Sequence, residues 1–396
     1  MHLREGVVVV EKPDATSLLI DEIVELGVPI VRGDGRSAKT LEAAGVPELE
    51  VGIPAMGPEE CARIAAVRAQ IRHSQLMVWC RAALPEVEQA ARLAVEWVDI
   101  SMPLSAQMLA HKLGISRQQA DDRLMRAVAR ARALGLRVCI GCEDASRATA
   151  DELTAIARLA HELGAERLRF ADTLGILDPF ATFERISLLR QHWHGQLEIH
   201  AHDDLGLATA NTLAALRAGA THSNTTVIGL GERAGNAPLE EVVLAASHCY
   251  GRQTGIDPLQ LPGLCQQVAA AAGRQIAAQK PLVGDLAFTH ESGLHVDGLL
   301  KDCRNYQGVD PHLLGREHRL VLGKHSGRHG VMAIFSALGL PLADGDAEPV
   351  LQAIRQFAES RKRNPDEGEL RALYRTLLCR SHAVNRMNEE VLWSGF

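Results

Sequence analysis

From about residue 45 onward, two hydrophobic periods alternate along the chain. Short apolar runs (ELEVGIP, QLMVWCRA, VEWVDISMP, LRVCIGCED, ERLRFADT, LEIHAHDD, HSNTTVIGLG) have the length of strands. Each is followed by a stretch with apolar positions three and four apart, from GPEECARIAAVRAQI through SRQQADDRLMRAVARARALG to APLEEVVLAASHCYG. The pattern predicts seven strand–helix units, each of roughly 25 to 30 residues, the rhythm of a parallel α/β fold. The runs are rich in Val, Ile and Leu, as strands buried on both faces should be.

Seven units after residue 45 and one before it make eight, which predicts a (β/α)8 TIM barrel. Polar residues support the closed form. Arg81, Glu143, Asp144, Asp172, Thr173, His200 and His202 all fall at the C-terminal ends of strands, the end where such barrels carry their sites. A doubly wound open sheet is the alternative, but it would not gather polar residues from so many strands at one mouth. After residue 251 the rhythm stops. Residues 252–396 read as a small, mostly α-helical C-terminal appendage, with a helical tail from about 327 to 380. Residues 39–251 form the barrel domain, and residues 1–38 an atypical N-terminal segment that contains a candidate first strand, GVPIV.

Composition narrows the function classes. Of 396 residues, 46% are hydrophobic and 23% charged, ordinary for a globular protein. A net charge of −7 without a basic block argues against a nucleic-acid surface. No apolar run approaches a membrane span, and the early VVVV is too short for a signal-peptide core. Eight scattered cysteines in a chain this long fit reduced thiols in the cytoplasm. Cys139 and Cys142 form a CxxC, but inside an apolar strand, where a redox or zinc role is the lesser reading.

The candidate chemistry begins with His200 and His202 in LEIHAHDDLG. Side chains alternate along a strand, so His-x-His points both rings to one face, where they can grip one divalent cation. Two unrelated polar residues near a strand end is the plainer reading of the pair alone. The glycine-rich GLGERAGNAP follows on the next unit, either a simple βα loop or a mouth loop whose Asn236 carbonyl reaches a metal and whose Glu232 and Arg233 order the site. THESGLHVDGLLKDCRNY sets His290, Glu291, His295 and Tyr306 within one short stretch, side chains suited to general acid/base work. LGKHSGRHG adds Lys324, His325 and Arg328, either an anion-binding turn or a solvated basic loop.

Four segments, IHAHDDLGLATANTLAALRAGATHSNTTVIGLGERAGNAPLEE, RFADTLGILDP, FTHESGLHVDGLLKD and LVLGKHSGRHGV, resemble the DRE-TIM metallolyase family, and within it the homocitrate and isopropylmalate synthases. The likeness runs over roughly residues 40 to 380. CIGCEDASRA and VGIPAMG are most similar to the homocitrate synthases of nitrogen fixation. Unlike the lysine-pathway enzymes, no arginine lies between Val138 and Glu143, and no regulatory domain of the isopropylmalate-synthase kind follows. The resemblance implies a Claisen condensation of acetyl-CoA with 2-oxoglutarate, then thioester hydrolysis to homocitrate and CoA. Isopropylmalate or citramalate synthesis from another 2-oxo acid is the alternative within the class. It further implies a divalent cation (Mg, Mn or Zn) on His200, His202 and Asn236. His295, Tyr306 and Glu143 are then the catalytic residues, with Thr173, Arg81 and Glu50 around the substrate. It implies a homodimer in which the segment carrying His295 reaches the neighbouring subunit's barrel.

One part departs. The family's first strand ends in a pattern such as DTTLRDGEQ, whose carboxylate is a metal ligand. Only two fragments resemble it here: Leu3-Arg4-Glu5-Gly6 and VPIVRGDG, which ends at Arg32, Gly33, Asp34 and Gly35. Asp34 is the candidate carboxylate. A damaged start, a degenerate site that uses Asp34 and a catalytically impaired homologue all remain open at this level.

Overall fold

The structure is a computed structural model that describes residues 7–9 and 35–377. Asp34, Glu5 and the GVPIV segment lie outside the described residues. The chain forms two compact units, Met1–Ala277 and Ala278–Phe396.

The first unit is a closed parallel barrel with its strands in sequence order, β1 to β8. The strands are β1 (Val7–Val9), β2 (Glu48–Glu50), β3 (Gln75–Arg81), β4 (Trp97–Pro103), β5 (Arg137–Glu143), β6 (Arg167–Asp172), β7 (Gln196–Ala201) and β8 (His222–Thr225). The closing stave was expected at GVPIV. It is instead the valine run: Val7 pairs with Glu48 of β2 on one side and with Asn224 of β8 on the other. β-branched residues favour the pleated backbone, and this run supplies three in a row.

Helices α1 (Gly35–Ala43), α2 (Pro58–Gln70), α3 (Leu84–Ala90), α4 (Arg117–Ala133), α5 (Ala150–Glu162), α6 (Pro179–His192), α7 (Ala208–Ala218), α8 (Leu239–Tyr250) and α9 (Leu261–Ala271) complete this unit. Their starts are written locally. Ser116 and Thr149 each cap a helix while Gln119 and Glu152 reach back, closing two capping boxes. α5 then buries Leu153, Ile156, Ala157 and Ala160, an i, i+3, i+4, i+7 stripe. The unit ends after Ala277 rather than after residue 251. Thr40 on α1 donates to Gln267 on α9 at 2.8 Å, which ties α9 to the barrel's helical shell.

The barrel interior differs from the expectation of strands apolar on both faces. The outward residues, such as Leu49, Val78, Val98, Ile140, Leu168 and Ile199, are apolar and buried under the helices. The inward face mixes apolar Met77, Trp97 and Cys139 with a set of buried charges. Arg167 donates to Glu48 (2.8 Å), Glu198 (2.8 Å) and Gln196 (2.8 Å). Arg169 donates to Glu198, to Asp99 (2.7 Å) and to Glu50 (2.6 Å). Burial alone would raise the Glu198 carboxyl, yet Arg169 and Arg167 bring it down to about 2. Burial wins at Asp99 and, with Glu50 and Glu198 nearby, pushes its carboxyl up to about 7 against Arg169. Charges are tolerated here because each guanidinium has several carboxylate partners.

The second unit holds α10 (Gly293–Lys301), α11 (Arg328–Ala337), α12 (Ala347–Arg361) and a helical stretch at 367–377. A two-stranded parallel pair, β9 (Thr289–His290) and β10 (Arg319–Leu320), precedes α11. Its core is built from Leu322, Val331, Phe335, Val350, Leu351, Ile354 and Leu370. The tail is helical, as its spacing predicts.

Candidate active site

β7 brings His200 to the C-terminal mouth. His202 lies one residue past the strand, held extended by an antiparallel bridge to Asn236. Alternation therefore continues, and the rings meet: His200 Nε2 lies 3.2 Å from His202 Nε2, the ring planes at 90°. Two ligands of one cation at about 2.1 Å would stand at this separation when the angle between them is about 100°. Both imidazoles are held neutral. Burial, then His202 and Arg169, brings His200 down to about 3. Burial and Arg233 bring His202 down to about 4.

A chain of partners fixes the tautomer of His200. Arg169 holds Glu50, and Glu50 Oε2 accepts from Asn224 Nδ2 at 3.0 Å. The Asn224 amide is thus oriented with Oδ1 toward His200 Nδ1, 3.0 Å away. Nδ1 must carry the proton, which leaves the Nε2 lone pair bare toward His202. Glu50, expected beside the substrate, is buried and spent on Arg169 and Asn224. Asn224 and Arg169 were missed by the sequence reading. Their signal was present as alternation: RLRF and HSNT, like ELE and LEIHAH, place polar side chains on one face.

Asn236 joins the pair from the GLGERAGNAP loop. Its Nδ2 donates to Leu230 O at 2.9 Å, and its buried Oδ1 has no partner among the described residues. The loop needs glycine. Gly235 has φ +96, and a Cβ there would stand 2.0 Å from Gly229 O. Arg233 braces the loop on Asp204 (2.8 and 2.9 Å) and on Thr173 O (2.7 Å). The described residues contain no group of three or more His, Cys, Asp or Glu side chains able to hold a metal ion. The donor set they do supply, two neutral imidazoles and an unpartnered amide oxygen, suits a divalent cation that takes further oxygen ligands.

The remaining mouth residues stand on neighbouring strand ends. Glu143 closes β5 and accepts from Lys112 at 2.7 Å; burial raises its carboxyl and Lys112 opposes the rise. Thr173 Oγ1 accepts from the backbone of Asp144 at 2.8 Å. Arg81 at the end of β3 is tied to Glu86 at 2.6 Å. Cys139 and Cys142 are buried free thiols, and burial pushes both up, away from thiolate chemistry.

In the second unit His295 and Tyr306 stack, ring centroids 4.2 Å apart and planes 28° off parallel. Gly298 makes room: a Cβ there would meet the Tyr306 ring at 2.4 Å. Both side chains are exposed. Of the residues expected to form an anion-binding turn, Lys324 and Arg328 have side-chain partners and His325 is held through its backbone. Lys324 faces Glu359 at 3.2 Å and Arg328 faces Asp344 at 3.0 Å, while Glu291 accepts from His325 N at 3.0 Å.

The class defined by fold and site is a closed parallel barrel with a His-x-His pair and a glycine-locked asparagine at its C-terminal mouth, the end where such barrels carry their sites. Residues 34–268 match the HMGL-like family, and residues 282–362 match the homocitrate synthase post-HMGL domain-like family. The chain belongs to the HMGL-like family. It is 44% identical to homocitrate synthase 1 of Nostoc sp. over 84% of this chain and 88% of that protein. It is 40% identical to 2-isopropylmalate synthase 2 of Caldanaerobacter subterraneus subsp. tengcongensis over 88% of this chain and 91% of that protein. The HMG-CoA lyase of Bacillus subtilis shares the fold, with a TM-score of 0.59 at 15% identity over 70% of this chain and 96% of that one.

Proposed function

We propose that the chain is a homocitrate synthase, which condenses acetyl-CoA with 2-oxoglutarate and hydrolyses the thioester to homocitrate and CoA. The observation that carries this reading is the facing pair of neutral imidazoles at the mouth beside the unpartnered Oδ1 of Asn236. His200, His202 and Asn236 would hold a divalent cation (Mg, Mn or Zn), with Asp34 as the proposed carboxylate ligand. A bound cation supplies Lewis acidity at the keto oxygen of the 2-oxo acid.

The chain's own residues do the rest. Arg169, Glu50 and Asn224 keep His200 in the tautomer that presents Nε2. Arg81 and Thr173 orient the substrate carboxylates. His295 and Tyr306 handle the proton leaving the acetyl methyl and the proton reaching the new hydroxyl, with Glu143 assisting. The protein works as a cytoplasmic homodimer, the His295 segment of one subunit serving the neighbour's barrel. No helix among the described residues is long and apolar enough to cross a membrane.

The likeness to a 2-isopropylmalate synthase favours one second reading, the same condensation on 2-oxoisovalerate. Thiol release from acetyl-CoA, measured with 2-oxoglutarate, 2-oxoisovalerate and pyruvate, decides. Release with none of them would end the condensation reading. His295→Ala is expected to lower kcat by about 10²- to 10⁴-fold; an undiminished rate would remove His295 from the acid/base role. Asn224→Leu is expected to weaken Mn or Zn binding by about 10- to 100-fold in calorimetric titration of the metal-free protein. Unchanged affinity would disprove the tautomer argument.

A further inference from the structure

One mouth contact belongs to none of the roles above. After β4 the chain runs through a short helical segment, Ala106–Met108, into a π-helical turn, Leu109–Leu113. π turns are rare and recur at functional sites. Lys112 leaves this turn and meets Glu143 Oε1 at 2.7 Å. The approach is braced from both sides. Leu104 N donates to Glu143 O at 2.8 Å, Ser105 Oγ donates to Asp144, and Arg117 donates to Leu104 O. The other mouth cations are engaged elsewhere: Arg81 on Glu86, Arg147 on Asp144 and Arg233 on Asp204.

We propose that Lys112 is a positioning residue: its ammonium holds Glu143 as a carboxylate, aimed into the mouth, for the proton-transfer steps. This rests on the condensation reading for its consequence in catalysis, though not for its electrostatics. The groups that face the pair are Asp144 beside Glu143, which opposes ionisation, and Glu232 from the β8–α8 loop, which feels Lys112. Glu232 Oε1 is buried without a hydrogen-bond partner among the described residues, and the charges of Arg233 and Lys112 oppose the rise that burial gives its carboxyl. With Lys112 removed, burial and Asp144 act on Glu143 unopposed, and the proton stays on to higher pH.

Two measurements test this. ¹³C-carboxylate NMR of the protein, with Glu143→Gln to assign the signal, reads Glu143 directly. Lys112→Met is expected to raise its titration midpoint by about 1 to 3 pH units, with Lys112→Arg close to the native value. Lys112→Gln, which keeps a hydrogen-bond donor without the charge, is expected to shift it the same way and serves if the apolar variant does not fold. An unmoved midpoint overturns the proposal. In the thiol-release assay, Lys112→Met is expected to lower kcat about 10- to 100-fold with KM for the 2-oxo acid within about 3-fold. The acid limb of the rate profile moves up with the NMR midpoint. The double variant with Glu143→Gln is no slower than Glu143→Gln alone. Additive losses would overturn the positioning role. A wild-type protein that releases no thiol would instead remove the condensation reading, and the NMR titration would still decide Lys112.

Discussion

His202→Ala is expected to abolish stoichiometric binding of a divalent cation and to lower kcat/KM by more than about 100-fold, beyond the usual reach of a change outside the ligand shell. The same substitution is expected to leave the fold intact. His202 is buried and neutral, and its Nε2 faces the Nε2 of His200. Alanine therefore strands no charge. Metal content by mass spectrometry after dialysis and the thermal midpoint form the pair of readings. Retained metal at one equivalent would refute the ligand assignment. A collapse of the midpoint would show that the pair is structural.

Arg169→Met should behave in the opposite way. Its guanidinium is shared by Glu50, Asp99 and Glu198, all buried. Removing it leaves three carboxylates facing one another in the barrel interior. Breaking a buried pair by deleting one partner costs about 3 to 5 kcal/mol. For a unit of this size that lowers the melting midpoint by on the order of 10 °C. Metal affinity falls as well, because Glu50 loses the contact that orients Asn224 and, through it, His200. Thermal unfolding by circular dichroism checks the first effect. An unchanged midpoint would mean that the carboxylates are neutral or solvated and the network carries no load.

Much of this architecture was legible in the chain. The alternation of periods after residue 45 marks seven strands and their helices, and the eighth strand is implied by count. The location of the eighth was not legible. GVPIV and VVVV are both short β-branched runs, and only the pairing of Val7 with Glu48 and Asn224 separates them. The His-x-His pair and Asn236 were readable because strand alternation and glycine requirements are local rules. The chain linking Arg169, Glu50, Asn224 and His200 was not, because its members sit on four strands, β6, β2, β8 and β7. Polar alternation in ELE and RLRF announces an inward polar face, but not which carboxylate meets which guanidinium. Glu50 shows the consequence: the family resemblance implies a substrate contact, whereas its carboxylate is bonded to Arg169 and Asn224.

The interior salt-bridge set also bears on how this family can diverge. Arg167, Arg169, Glu48, Glu50, Asp99 and Glu198 answer to one another and not to the solvent. A saturation scan of single positions would therefore score all six as intolerant and present them as independent necessities. Because each guanidinium serves two or three carboxylates, only its replacement together with all of those carboxylates by apolar residues of similar volume should survive where a single change fails. The six positions act as one unit, and a change at one is expected to be costly unless its partners change with it.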